Sequence, residues 1–362
     1  MTSAPITRGP SAGIANSLTS GRLPKWAPWV LLVGSWIVMS IVFALTRGTA
    51  DFNIAAALFL GTVLFDVLIF VIAYLVEGHR FAVNRLMTSL VVTAFTVALL
   101  PLVSLLFTVL TNGLARFDIQ YFSESMRNVV GDGGGALHAI MGTLLITGMA
   151  TLISVPIGVL TAIYLVEYGR GTLARAITFF VDVMTGIPSI VAGLFAFAFF
   201  ALVLQDPGIR FGFGGSVALS LLMIPVVVRS SEEMLKLVPN ELREASYALG
   251  VPKWLTILKV VIPTSIAGIT TGVTLAISRV IGETAPLLII SGFTASMNYD
   301  LFAERMMTIP VFVYNQYANP GSDVGPYLER AWAGALTLIV IVMLLNLIAR
   351  LVAKIFSPKF GR

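Results

Sequence analysis

The chain of 362 residues is 57% hydrophobic and only 11% Asp, Glu, Lys or Arg, against about 25% charged residues in an ordinary soluble domain. With a mean hydropathy of +0.94 it has too little polar surface to cover a globule of this mass, which excludes a cytosolic enzyme. The absence of cysteine excludes disulfides, thiolate-held zinc and iron–sulfur clusters, and a formal charge of +5 in so apolar a chain points to basic cytoplasmic loops rather than nucleic acid.

A membrane span needs about 20 mostly apolar residues. In chain order the sequence predicts eight: 27–46, 54–76, 88–111, 137–166, 177–204, 214–230, 263–292 and 332–353. Pro156, Pro188 and Pro225 fall inside spans, where neighbouring helices can satisfy the freed backbone groups. The polar stretch before the first span resembles a signal peptide, but the apolar core is too long, so the span reads as a retained helix. With the N-terminus in the cytoplasm, sixteen basic residues fall in inside segments and six outside, with Arg279 left within a span. That bias predicts a multi-pass cell-membrane protein with both termini cytoplasmic.

The loops lack the parts of an enzyme. A Walker A loop ends in Gly-Lys-Ser/Thr, and the sequence holds no Gly-Lys pair. The run Gly133-Gly134-Gly135 reads as a flexible outside loop, and the two histidines, His79 and His138, are far apart. No catalytic or metal site is expected, and any ATP hydrolysis belongs to another chain.

The strongest local signal is the inside segment 231–262. Leu235, Val238, Leu242, Ala245 and Leu249 recur at steps of three or four, one apolar face of a helix. Pro239 suits a first turn, Gly250 the left-handed position that ends a helix, and Pro252 the start of the next. The chain therefore makes a helix, a sharp turn and a second helix returning to the membrane. Such an element either lies on the lipid surface or docks into a soluble partner. The mixed charges of Asn240, Glu241, Arg243 and Glu244 favour docking, because a lipid-bound face is usually lysine-rich.

Glu244-Ala245-Ser246, Gly250 and Ile262-Pro263 resemble the EAA loop of ABC-importer permeases, with Ser246 in place of the pattern's second alanine. Five further stretches resemble the phosphate branch of that family. They are 225–239, 242–250, Arg279-Val-Ile-Gly-Glu283-Thr-Ala-Pro-Leu-Leu288, Tyr164-Leu-Val-Glu-Tyr-Gly169 and Ile187-Pro-Ser-Ile-Val-Ala-Gly-Leu194. The resemblance covers roughly residues 88–355. It implies an all-α, type I ABC importer permease core at 88–362, preceded by a tail at 1–26 and an extra two-helix segment at 27–87. It also implies a subunit of an ATP-driven phosphate importer. Its partners would be a second homologous permease, two ATPase subunits that bind ATP and magnesium, an extracytoplasmic phosphate-binding protein and the lipid bilayer. Glu241, Arg243, Glu244, Ala245 and Gly250 would couple the chain to an ATPase. Sulfate or molybdate are the neighbouring substrates, and an ion-coupled secondary transporter is the rival of a different class.

Three places put ionisable groups inside spans, each costing at least about 2.5 kcal/mol unless paired or wet. Asp66 reads as hydrogen-bonded to a neighbouring helix, and Asp182 as within reach of water or Arg175. Arg279 and Glu283, four residues apart, share one face of the seventh span. They either form an ion pair that fixes packing, or Arg279 faces the aqueous path and attracts an oxyanion while Glu283 holds its geometry. Gly268 and Gly272 give a spacing that permits close helix packing.

Overall fold

The computed structural model describes Gly21 and residues 23–47 and 53–356, so Arg8, Arg22, Lys359 and Arg362 lie outside the described residues. Contacts divide the chain into two compact units, Met1–Leu105 and Leu106–Arg362. Every regular element among the described residues is helical. Among the described residues, seven helices are long and apolar enough to span a bilayer, or eight with one bent pair taken as a single span.

In the first unit, α1 (Ala27–Arg47) packs on α2 (Ile54–Glu77), which Asn53 caps by accepting from the Ala56 N–H at 3.0 Å. The helices meet closely at Gly61, where a Cβ would come within 2.7 Å of the Trp36 ring. The Trp36 indole N–H donates to Thr62 at 3.1 Å. Gly78, at φ +88°, turns the chain into α3 (His79–Gly113). The Ser89 hydroxyl of α3 donates to Asp66, the neighbouring-helix partner that the sequence predicts for this acid.

The second unit takes in the end of α3 from Leu106, then α4 (Ile119–Ser123) and α5 (Leu137–Ile163), which ends in a π-helical turn over Tyr164–Tyr168. The central pair is α5 on α8 (Gly212–Lys236). Ser216 and Ser220 sit buried between them and donate to the Ile146 and Ala150 carbonyls at 3.1 and 3.4 Å. Small side chains on α8 let the backbones approach and satisfy their own hydroxyls across the interface. The helix α11 (Ile262–Val280) also packs on α8, toward its C-terminal end. A Cβ at Gly268 would reach the Met234 sulfur at 2.2 Å, and one at Gly272 the Ser230 hydroxyl at 2.4 Å, so the predicted glycine pair is the contact face.

Two predicted spans are not continuous helices. The stretch 177–204 is broken into α6 (Gly171–Thr185) and α7 (Ser189–Val203), bent by 109°. Gly186 closes α6 and Pro188 has no N–H to give, so Pro188 marks a break rather than lying within a helix. The stretch 263–292 stops at Val280, and α12 (Ala285–Ile290) follows after a turn, with Pro286 in its first turn. Gly193 of α7 seats α12 tightly, since a Cβ there would lie 2.5 Å from the Pro286 Cα.

The segment read as an outside loop between the last two spans is also built in. It holds α13 (Ile309–Ala318), with Ile309, Val311 and Phe312 fully buried. A Cβ at Gly142 would lie 1.9 Å from the Met307 carbonyl oxygen, and the Ile309 N–H donates to Thr143 at 2.8 Å. The last helix, α14 (Gly325–Phe356), carries Arg330, fully buried near its start. Arg330 donates to the Gly131 and Gly133 carbonyls at 2.7 and 3.0 Å. The glycine run is therefore packed structure, not the flexible loop that its composition predicts. Its bare backbone brings carbonyls to a buried guanidinium.

Candidate functional site

Between α8 and α11 the chain forms the predicted elbow. Pro239 precedes α9 (Asn240–Ala248), and Pro252 precedes the short α10 (Lys253–Thr256), which continues through a π-helical turn at Ile257–Val261 into α11. Gly250 lies between them at φ +76°, the left-handed conformation expected of it, and a Cβ there would meet nothing within 4 Å. The glycine is needed for its backbone angle and not for space.

The apolar stripe does not all turn inward. Leu235 and Val238 are buried and Leu242 half-buried, while Ala245 and Leu249 are exposed. The chain breaks at Pro239, so residues before and after it belong to different helix axes. Glu241, Glu244 and Ala245 therefore share the open side of the elbow with Tyr247 and Leu249, the last 83% exposed. Arg243 points the other way. Its guanidinium pairs with Glu167 at 2.9 Å and donates to the Val238 and Leu235 carbonyls at 2.6 and 3.0 Å. Both side chains are largely buried, at 12% and 5% exposure. Lys253 adds a second tie, donating to the Glu167 carbonyl and lying 4.8 Å from the centre of the Tyr168 ring.

Glu167 is thus the hub that holds the elbow against the end of α5. In the sequence it is visible only as part of the stretch Tyr164–Gly169, and nothing there says that its partner lies 76 residues on. Ser246, the departure from the EAA pattern, has its own role. Its hydroxyl is buried and lies 2.8 Å from the Thr256 hydroxyl, closing the elbow across Gly250.

Next to the elbow, at the end of α8, Arg229 pairs with Asp182 of α6 and with Glu232 at 2.7 Å, and Lys236 also reaches Glu232 at 2.7 Å. Asp182 is thus met by Arg229 and not by Arg175. The bend after α6 carries Asp182 toward the end of α8.

Arg279 and Glu283 do not share a helix face. The helix α11 ends at Val280, and Glu283 lies in the following turn with its N–H bonded to the Val280 carbonyl at 3.1 Å. The ion pair allowed by four-residue spacing is not formed, because the helix ends at Val280 and the chain turns at Ile281-Gly282 before it reaches Glu283. Among the described residues Arg279 has no ion pair and no hydrogen bond. It continues an exposed stripe on α11 with Thr271 and Leu275. An unpaired guanidinium on an open helix face within an apolar chain is a ready partner for an oxyanion.

The family described as "Binding-protein-dependent transport system inner membrane component" matches residues 154–362. Among curated proteins, the chain is 46% identical over 272 residues to the phosphate transport system permease protein PstA 1 of Mycobacterium tuberculosis, covering 74% of this chain and 88% of that one. It is 40% identical over 277 residues to the phosphate transport system permease protein PstA of Pasteurella multocida, covering 76% and 95%. Among solved structures it is similar in fold to a chain of a bacterial alginate ABC transporter in complex with its alginate pentasaccharide-bound periplasmic protein. That likeness has a TM-score of 0.53 at 14% identity, over 77% of this chain and 97% of that one. Together with the elbow and the spanning helices, these matches place the chain in the binding-protein-dependent transport system inner membrane component family, as a multi-pass ABC-importer permease.

Proposed function

We propose that the chain is a permease subunit of an ATP-driven importer of inorganic phosphate, forming half of the ion path. The observation that carries this reading is the unpaired Arg279 on the open stripe of α11, in a chain whose relatives are named as phosphate permeases. In a low-dielectric path, a fixed guanidinium lowers the barrier for an anion far more than it would in water. The open stripe of α11 is completed by a second, homologous permease, so that Arg279 faces the shared path. Glu283, held at the turn below α12, keeps the charge of the region from trapping the anion.

The remaining partners follow from the same reading. Two ATPase subunits bind ATP and magnesium and receive the open side of the elbow through Glu241, Glu244, Ala245 and Leu249. Arg243 and Gly250 shape that side without touching the partner. Movement of the elbow passes to α8 and α11 through the Arg243–Glu167 tie and the Gly268 and Gly272 contacts. An extracytoplasmic binding protein supplies most of the selectivity for phosphate. The basic residues put both termini and the elbow in the cytoplasm.

Reconstitution of the chain with the second permease, the ATPases and the binding protein tests the reading. Phosphate uptake that requires both ATP and the binding protein is expected, with sulfate and molybdate failing to replace phosphate. Sulfate or molybdate uptake without phosphate uptake would overturn it.

A further inference from the structure

At the other end of α8 from the elbow, a helix length of about 37 Å away at 1.5 Å per residue, lies a pair of arginines, Arg210 and Arg305. The backbone sets them side by side. The Phe211 N–H donates to the Ile290 carbonyl at 3.0 Å, and the Met306 N–H donates to the Ser291 carbonyl at 3.1 Å. Two distant loops are thereby pinned to successive carbonyls at the end of α12, bringing Arg210 and Arg305 to either side of Gly292. Gly292 is buried at φ +73° and closes α12 with its N–H on the Leu287 carbonyl at 3.0 Å. A Cβ at Gly292 would lie 3.0 Å from the Arg210 Cδ and 3.3 Å from the Arg305 Cδ, so the two Cδ atoms are no more than about 6 Å apart.

Stems this close let the two guanidinium heads converge, and heads that converge repel one another unless an anion sits between them. Among the described residues neither guanidinium has an ion pair or a hydrogen bond, while the Arg305 carbonyl accepts from the Asn298 amide at 3.1 Å, and both arginines are exposed. They line a polar cavity of about 480 Å³ together with Asp206, Glu304, Phe293 and Thr294. The two carboxylates are at hand yet make no ion pair with either arginine, and Asp206 instead accepts the Gly208 N–H at 2.9 Å. The scaffold beneath is rigid. Phe200 meets Phe211 edge-on at 5.0 Å, and Phe213 packs tilted against Phe302 at 4.9 Å between ring centres. Fixed backbone, packed stems and free guanidinium heads make a site prepared for a small doubly charged anion.

We propose that Arg210 and Arg305 form an outer receiving site for inorganic phosphate, the first place where the ion touches this chain before it reaches Arg279. The inference rests on the phosphate-permease reading and on the elbow being cytoplasmic, which puts this cavity on the outside. Asp206 and Glu304 at the rim keep the site weak, so that the ion moves on rather than staying bound.

The test uses the full reconstituted complex and two readouts. Because the chain has no cysteine, Thr294→Cys gives a single thiol in the cavity. Its modification by a small impermeant reagent is expected to slow on adding inorganic phosphate in the arginine background. It is expected not to slow in Arg210→Gln with Arg305→Gln, where glutamine keeps the stems that cover Gly292. The same double variant in the cysteine-free chain is expected to lose at least about tenfold in uptake, as two charge-assisted contacts go. The affinity of the binding protein for the complex is expected to stay within about twofold, and the double lysine variant to restore part of the uptake, since its charge is kept without the fork. Unchanged uptake in the double variant, with no phosphate protection of the thiol in Thr294→Cys, would overturn the site. A loss traced wholly to weaker binding of the binding protein would overturn it too, making the arginines a protein-docking contact. Failure of the wild-type complex to take up any phosphate would instead be a failure of the proposed function.

Discussion

Arg243 and Glu167 are 76 residues apart in the chain and meet at 3.0 Å, with the same guanidinium also closing on the carbonyls of Leu235 and Val238. One side chain thereby joins the end of α5, the end of α8 and the elbow helix. On the proposed coupling, a force on the elbow passes to both of these helices at once.

Removing that tie is expected to uncouple the machine more than it unfolds it. Arg243→Ala leaves Glu167 without its cation and takes the guanidinium donor from the Val238 and Leu235 carbonyls, of which Leu235 keeps the Val238 N–H at 3.3 Å, a cost on the order of 3 kcal/mol. The charge-swapped pair Arg243→Glu with Glu167→Arg is expected to recover little, because the carbonyls need a donor on residue 243. The measurement is ATPase activity and phosphate uptake of the same assembled preparation. Wild-type uptake in Arg243→Ala would contradict the role.

The elbow turn depends on one backbone angle. Gly250→Ala is expected to cost about 1 kcal/mol and Gly250→Val somewhat more, since φ is positive and no neighbour obstructs the side chain. Gly250→Asn is expected to be nearly neutral, as asparagine tolerates the left-handed region. Recovery of the ATPase with the membrane subunits, ranked Gly, Asn, Ala, Val, checks this order. Equal recovery in all four would show that the turn is not strained.

The open side of the elbow is tested by charge and bulk. Glu244→Lys reverses a charge there, and Leu249→Asp puts an ion on an 83% exposed leucine. Both changes sit on the surface and are expected to leave the permease folded while weakening capture of the ATPase. Full capture by both variants would mean that the ATPase docks elsewhere.

Ser246 and Thr256 are expected to couple. Ser246→Ala restores the alanine of the EAA pattern but loses a buried hydroxyl pair, at about 1 kcal/mol. A double-mutant cycle with Thr256→Val, read as thermal stability of the assembled complex, is expected to show a non-additive term. Strict additivity would mean that the hydroxyls do not interact.

Gly142 tests the fold rather than the function. With the Met307 carbonyl oxygen 1.9 Å from its virtual Cβ, even Gly142→Ala forces the backbone before α13 to move. A sharp fall in the yield of assembled complex is expected for Gly142→Val, against little change for Gly148→Ala, which meets nothing within 4 Å. Normal yield of Gly142→Val would contradict that packing.

The spanning helices, the elbow and Gly250 were legible in the sequence because each depends on local pattern: apolar length, paired prolines, a glycine after a helical run. The breaks at Gly186 and after Val280 were written in Gly and Pro residues too. They are hidden there by unbroken hydrophobicity, which cannot tell a span from two short buried helices. The hub at Glu167 and the inward turn of Arg243 were not legible, because long-range pairing leaves no periodic trace. Four-residue spacing placed Arg279 and Glu283 together on the premise of a continuous helix, and the helix ends between them.

The central claim is that Arg279 serves the anion and not the packing of α11. Phosphate uptake per assembled complex, compared between wild type, Arg279→Gln and the double variant Arg279→Gln with Glu283→Gln, tests it most directly. Both variants are expected to assemble normally and to lose uptake, since neither leaves a cation on the open stripe of α11. Uptake near wild type in the double variant would show that the Arg279 charge is not needed by the anion and would contradict the account.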